Sequence, residues 1–446
     1  MKGEKSKPTA EMLNRREFLA TSMMIGAFSS VVQPIYAEET PNNVESPGLG
    51  EVKSLIPQEQ GTHFLSSAAA KKPDDAIDVS KFPPPTGRPP YTIELKDVLN
   101  LPPQEYKKRF SKGIAFHSVG DTGGENPDSC NPQVVDCMVK RMTENNEIAF
   151  FYHLGDVVYE VEGKEYASRY DTQFYRSFKR YKGPVFAIPG SHDTNDYLHA
   201  FRDNFCDTKK FKDVVGADPS FKVGVEPNFY WRLRTDFANI IGLSTNAADK
   251  GHIDEKQLVW FAETLRYCKE DFETSNKALI VAMYYPPLDS EVETAGGSDG
   301  SPWLYQLTSK AYMDSRIFPH LVLSGHWHAY QRLNVSRPTG KQGPQSIEQG
   351  VHVVAGCGGR NSLYPITADA GDHDDLFDGT KVMMSKRWTI SPENPFSTSP
   401  ENKYYYGFME ILIDASHITG RFITADNIER DTFVIDIRDR KIIGGA

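Results

Sequence analysis

The sequence predicts an α/β domain whose chemistry sits on strand-end loops. Five apolar runs of strand length each end in a loop that carries an aspartate, a histidine or a tyrosine. Apolar stripes of helical spacing separate several of these runs. A side chain at the mouth of a buried strand stands on a rigid support at a solvent-reachable edge, where open α/β sheets hold their ligands.

The first run is Ile114-Ala115-Phe116-His117-Ser118-Val119, ending at Gly120-Asp121-Thr122-Gly123-Gly124. Its glycines permit a sharp turn and close backbone approach. Asn131 and Pro132 then open a helix with Val134, Val135, Met138 and Met142 on one face. The second run, residues 148–154, anchors the pattern and leads to Gly155-Asp156-Val157-Val158-Tyr159. Tyr159 lies three residues past Asp156, close enough for both to face one point. A helix is expected around Lys164–Lys179. The third run, Val185-Phe186-Ala187-Ile188, delivers Pro189-Gly190-Ser191-His192-Asp193, which sets an imidazole beside a carboxylate.

Strands are expected at Phe229–Leu233 and Ala238–Leu243, then a helix that Asp254 and Gln257 open as a capping box. Its apolar stripe is Leu258, Phe261, Ala262, Leu265 and Cys268. The fourth run, Ala278–Met283, delivers Tyr284-Tyr285-Pro286-Pro287, and a helix is expected from Pro302 to Asp314. The fifth, Leu321-Val322-Leu323, delivers Gly325-His326-Trp327-His328. Two histidines with one residue between them can point into one pocket, and this placement favours metal ligation. Val351–Val354 runs into Gly356-Cys357-Gly358-Gly359, while Gly407–Ile413 and Thr432–Ile437 read as edge or second-sheet strands.

At 446 residues the chain can hold one large domain or two smaller ones. Its net charge of −10 disfavours a nucleic-acid partner. Arg15-Arg16-Glu17-Phe18-Leu19 resembles a twin-arginine export signal. The apolar stretch behind it, Phe18 to Val32, falls short of the roughly 20 residues that span a bilayer. Ala37 offers a cleavage point before Glu38. Residues 1–37 are thus read as a signal, 38–105 as a Pro-rich tether and N-terminal arm, and 106–446 as the main domain. The mature chain is expected to be periplasmic or secreted, with no membrane span. Five cysteines leave at least one without a partner in the chain; disulfides and buried free thiols both stay open.

Taken together, the five motifs resemble the calcineurin-like metallophosphoesterases, most closely their purple-acid-phosphatase-like branch. That branch reads G-D-x-G, G-D-x-x-Y, G-N-H-D/E, V-x-x-H and G-H-x-H. The matches here are Gly120-Asp121-Thr122-Gly123, Gly155-Asp156-Val157-Val158-Tyr159, Gly190-Ser191-His192-Asp193, Val281-Ala282-Met283-Tyr284 and Gly325-His326-Trp327-His328. The resemblance covers roughly residues 110–435. It implies a four-layer α-β-β-α sandwich with two mixed sheets and two transition-metal ions (Fe, Mn or Zn) at one sheet edge. It assigns Asp121, Asp156, Tyr159 and His328 to the first ion. Asp156 and His326 fall to the second, with Ser191 and Tyr284 standing where the family carries asparagine and histidine. A serine hydroxyl ligates poorly, and a phenol with an ordinary pKa of about 10 needs a strong Lewis acid to do so. The second site is left with three outcomes: weak, rebuilt around Tyr284 or Tyr285, or empty.

No C-x5-R or G-x-S-x-G nucleophile loop is present. The expected chemistry is therefore direct attack by metal-bound hydroxide on a small phosphate ester, with His192, oriented by Asp193, donating to phosphate or leaving group. An exported phosphomonoesterase is the leading function. A phosphodiesterase or nucleotide/phospholipid hydrolase on the same fold, and a silent phosphate- or partner-binding protein, are the alternatives. Specificity is expected from the loops Lys209–Asn228, Glu291–Ser301 and Gly359–Pro400. Substrate, metal identity and oligomeric state are not legible.

Overall fold

The computed structural model describes residues 77–124, 131–207, 214–246, 251–288, 301–339, 347–360, 363, 380–389 and 405–445. The expected export signal, the tether up to residue 76, Cys130 and much of the three specificity loops lie outside the described residues.

Two mixed sheets pack face to face. The first has eight strands: β1 (Thr92–Glu94), β5 (Trp231–Arg234), β6 (Ala238–Leu243), β7 (Ala278–Met283), β8 (Leu321–Ser324), β10 (Ile347–Ala355), β9 (Tyr330–Pro338) and β11 (Lys381–Trp388), in that spatial order. Strands β6, β7, β8 and β10 run parallel, side by side. The second has seven, in the order β15 (Lys441–Gly444), β14 (Glu429–Asp436), β13 (His417–Thr424), β12 (Gly407–Ile413), β2 (Ile114–Val119), β3 (Ile148–His153) and β4 (Val185–Ala187). Here β2, β3 and β4 are parallel, and β12 runs antiparallel beside β2.

The strand period of two sorts the apolar side chains into layers. On β7, Ala278, Ile280 and Ala282 join the core between the sheets, while Leu279, Val281 and Met283 face outward. That outer face is covered by helices α2 (Glu255–Ser275) and α3 (Pro302–Ser315), through Leu258, Phe261, Leu265, Leu304 and Leu307. Helix α1 (Asn131–Glu144) brings Val134, Val135 and Met138 to the core of the seven-stranded sheet. The result is the expected four-layer sandwich. The near-continuous apolar runs belong to strands buried on both faces. The end of the arm is part of this body: β1 pairs in parallel with β5, and Tyr91 packs edge-on against Tyr230.

Three sequence expectations change. The helix around Lys164–Lys179 is interrupted: helical turns at Tyr166–Arg169 and Arg176–Phe178 flank a π-helical segment, Tyr170–Tyr175. Of the two readings of Gly407–Ile413, edge or second-sheet strand, the edge reading falls: the strand lies between β13 and β2 inside the seven-stranded sheet, with six of its seven residues buried. The strand expected from Phe229 begins at Trp231, since Phe229 and Tyr230 pack against Phe82 and Tyr91 of the arm. The four described cysteines, Cys137, Cys206, Cys268 and Cys357, are buried free thiols. No helix among the described residues is long and apolar enough to cross a membrane.

One buried charge ties α1 to the second sheet. Glu410 on β12 accepts two hydrogen bonds from Arg141, at 2.6 and 2.9 Å, and one from Arg421 at 3.2 Å. Burial by itself would raise this carboxyl; the hydrogen bonds from Arg141, with His117 3.7 Å away, outweigh it and hold it well below the ordinary carboxylate range. A depressed folded-state pKa means stability that is present above the unfolded value, about 4.3, and lost as pH falls below it. Glu410→Ala is expected to cost about 3 kcal/mol at neutral pH, because it leaves Arg141 without its buried partner. Urea midpoints measured from neutral pH down to pH 3 check this, and the gap between variant and wild type should narrow with acid.

Candidate metal centre

Six loops converge at the C-terminal ends of the parallel strands of both sheets. Asp121 follows β2, Asp156 follows β3, Ser191 and His192 follow β4, Tyr284 follows β7, and His326 and His328 follow β8. The sixth loop, Gly356–Arg360 after β10, joins them. Gly120 donates its N–H to Ala355, and Gly358 and Arg360 donate theirs to Gly120 and Asp121. These bonds fasten the edges of the two sheets together.

Asp121, Asp156 and His326 have φ of 57°, 52° and 69°. The left-handed region costs a residue with a side chain about 1–2 kcal/mol, and it persists where neighbours hold it. The holding contacts are visible. His192 N–H donates to Asp156 Oδ1 at 2.9 Å, and His326 N–H to Asp121 Oδ2 at 2.8 Å. Gly190 permits the first approach, since a Cβ there would fall 2.1 Å from the Asp156 nitrogen. Behind the site, His153 Nδ1 accepts from the Gly155 N–H at 3.1 Å. Its proton is therefore on Nε2, which lies 2.7 Å from the Thr122 hydroxyl and links the first two loops. Burial lowers this imidazole to about 3, so it stays neutral.

Three of the four residues expected at the first ion form a compact triangle. Tyr159 Oη lies 3.1 Å from Asp121 Oδ1 and 3.2 Å from His328 Nε2, which is 3.4 Å from Asp121 Oδ1. Ligands cis to one another around an ion at about 2.1 Å stand about 3.0–3.4 Å apart, so this donor set fits a metal. The charge distribution agrees. Asp121 and Asp156 are almost fully buried. Burial, with Asp121 close by, raises the Asp156 carboxyl against the opposing pull of His192. Burial and both aspartates push the Tyr159 phenol well above its ordinary value. A cation relieves such a site. The phenol is an essential member of the triangle: among the described residues no three His, Cys, Asp or Glu side chains are grouped to hold a metal by themselves.

The second set is arranged differently. Tyr284 Oη donates to Asp156 Oδ2 at 2.5 Å and lies 3.1 Å from His326 Nδ1 and 3.4 Å from Ser191 Oγ. These residues converge on the phenol oxygen, which Asp156 holds by a hydrogen bond shorter than the spacing of two ligands on one ion. Tyr285 packs its ring on His326, centroids 4.4 Å apart, beside the same point.

His192 is at the mouth, two-fifths exposed, with its ring centroid 4.4 Å from that of Tyr159. Asp193 does not orient it. The Asp193 carboxylate is buried and accepts the N–H groups of Val157, Val158 and Gly190, which fixes the second loop against the third. The orienting group is Glu160, whose Oε2 lies 2.5 Å from His192 Nδ1. Sequence reading missed it, although a carboxylate next to Tyr159 on a ligand loop was a usable signal. Gln173 was missed without any signal. It accepts from the Tyr159 N–H at 2.8 Å and donates to the Tyr159 carbonyl at 2.9 Å, reaching from the π-helical segment, a backbone form common at functional sites. Arg360 was also missed; its guanidinium lies 4.0 Å from the Tyr159 ring centroid.

Residues 116–330 match the model of the calcineurin-like phosphoesterase family. Among solved structures the chain is similar to the purple acid phosphatase PPD1 of yellow lupin (Lupinus luteus) seeds, at 15% identity, TM-score 0.45, over 74% of this chain and 55% of that one. It is also similar to GAP50, the anchor in the inner membrane complex of Plasmodium, at 15% identity, TM-score 0.44, over 73% and 89%. A third is PhoD, at 11% identity, TM-score 0.42, over 76% and 72%. The chain thus spans little more than half the length of the lupin protein. No curated protein matches it by sequence. The matched segment contains the five loops that carry Asp121, Asp156, His192, Tyr284 and His328, so the residues that meet at this site all lie in the part of the chain similar to the calcineurin-like phosphoesterases.

Proposed function

We propose that the chain is a metal-dependent hydrolase of small phosphoric esters, acting on monoesters. The observation that carries this is the buried triangle of Asp121, Tyr159 and His328 next to the half-exposed His192. An ion in the triangle supplies a Lewis acid that polarises the phosphoryl group and makes water acidic. The other roles fall to the chain itself. Glu160 holds His192 Nδ1 and leaves Nε2 facing the site, 3.9 Å from Asp156 Oδ2, where it can donate to a phosphate oxygen or protonate the leaving oxygen. Arg360, above the Tyr159 ring, adds a fixed positive charge for an anionic substrate.

The test is turnover of p-nitrophenyl phosphate against bis(p-nitrophenyl) phosphate with added Mn²⁺. Faster hydrolysis of the monoester is expected; preference for the diester would move the assignment to a phosphodiesterase. A second reading, a phosphate-binding protein without turnover, is favoured by the position of the Tyr284 hydroxyl among the second-ion residues. Phosphate binding with no hydrolysis of either ester would select it.

We further propose twin-arginine export to the periplasm or medium, on the strength of Arg15, Arg16, Phe18 and Leu19. Retention in the cytoplasm of a chain with intact arginines would refute it.

A further inference from the structure

We infer that the Tyr284 phenol stands in for the second ion, so that the folded chain takes one metal ion where its family has two. This deepens the hydrolase reading and rests on it.

Four groups meet at the Tyr284 oxygen: Asp156 Oδ2 at 2.5 Å, His326 Nδ1 at 3.1 Å, and Asp121 Oδ1 and Ser191 Oγ at 3.4 Å each. The contact with Asp156 Oδ2 has the length of a hydrogen bond and is shorter than the spacing of two ligands on one ion. Among the described residues, the imidazole nitrogens of His192 and His328 lie 3.9 and 3.4 Å from Asp156 and Asp121, whereas His326 meets Asp121 through its backbone N–H at 2.8 Å. Cis ligands on a shared ion would stand about 3 Å apart. Asp156 and His326 are instead bridged by the phenol, whose O–H gives the buried carboxylate the positive partner that a cation would give.

The ring has nowhere to go. Tyr284 is 1% exposed. Its Cδ2 lies 2.6 Å from the position a Cβ on Gly155 would take, so it fills the space that this glycine leaves. Tyr285 and His326 pack against its other sides, with ring centroids 5.1 Å from its own in each case.

The experiment loads the purified full-length chain with Mn²⁺, removes the excess and counts ions per chain by elemental analysis. One ion is expected. Two ions would overturn the inference and leave the hydrolase reading standing; none would overturn both. The ultraviolet difference spectrum of tyrosine ionisation on loading gives a readout independent of turnover. Tyr159→Phe should abolish the signal and Tyr284→Phe should keep it. Loss of the signal in Tyr284→Phe would make Tyr284 a ligand and overturn the inference. Restoring the family's residues in a Ser191→Asn/Tyr284→His variant should raise the count from one to two.

Discussion

Asp121→Asn is expected to abolish metal loading and to cut hydrolysis by at least about 10²–10³-fold, the loss that follows removal of one preorganised electrostatic group from an active site. Asp121 Oδ1 is a corner of the donor triangle, and its backbone is held by Gly155 and Arg360. Asparagine has nearly the same shape and is among the few residues that tolerate the left-handed backbone found there, so the fold should survive. An unchanged urea midpoint with lost metal is the predicted pair of results. A variant that kept both its ion and its turnover would show that the chemistry is not at this triangle.

His192→Asn should lower kcat on alkyl phosphates by about 10²–10⁴-fold, the usual contribution of a positioned acid or base. The same variant should cost little on an ester with an acidic leaving group such as dinitrophenol, which departs without a proton. That contrast separates proton donation from simple phosphate binding, which would weaken both substrates alike. Glu160→Gln should reproduce the contrast in milder form, because it loosens the imidazole through Nδ1 without removing Nε2. If both ester types fell equally in His192→Asn, the residue would be a phosphate anchor and another group would supply the proton.

Strand-end motifs were legible in the sequence because parallel strands buried on both faces are written as unbroken apolar runs, and the residue after each run sits at the sheet edge. Asp121, Asp156, Tyr159, His192, Tyr284, His326 and His328 could therefore be named from local pattern alone. Their grouping at one edge followed from the four-layer arrangement that the motif order implied. The partners of these residues could not be read in the same way. Glu160 and Asp193 are both carboxylates within one residue of a named site residue, and which of them faces His192 depends on loop backbone geometry. Gln173 reaches Tyr159 from a π-helical segment that helical periodicity does not reveal. Arg360 enters through a strand order that places β10 beside β8.

The same division decides the second ion. The sequence by itself determined which side chains stand at that position, since each is fixed to the end of a particular strand. It left open whether a tyrosine there binds a metal or takes its place. That choice belongs to the tertiary structure, because it turns on distances between loops from two different sheets. Asp156 comes from one sheet and Tyr284 and His326 from the other, and their packing puts the phenol oxygen between the two loops.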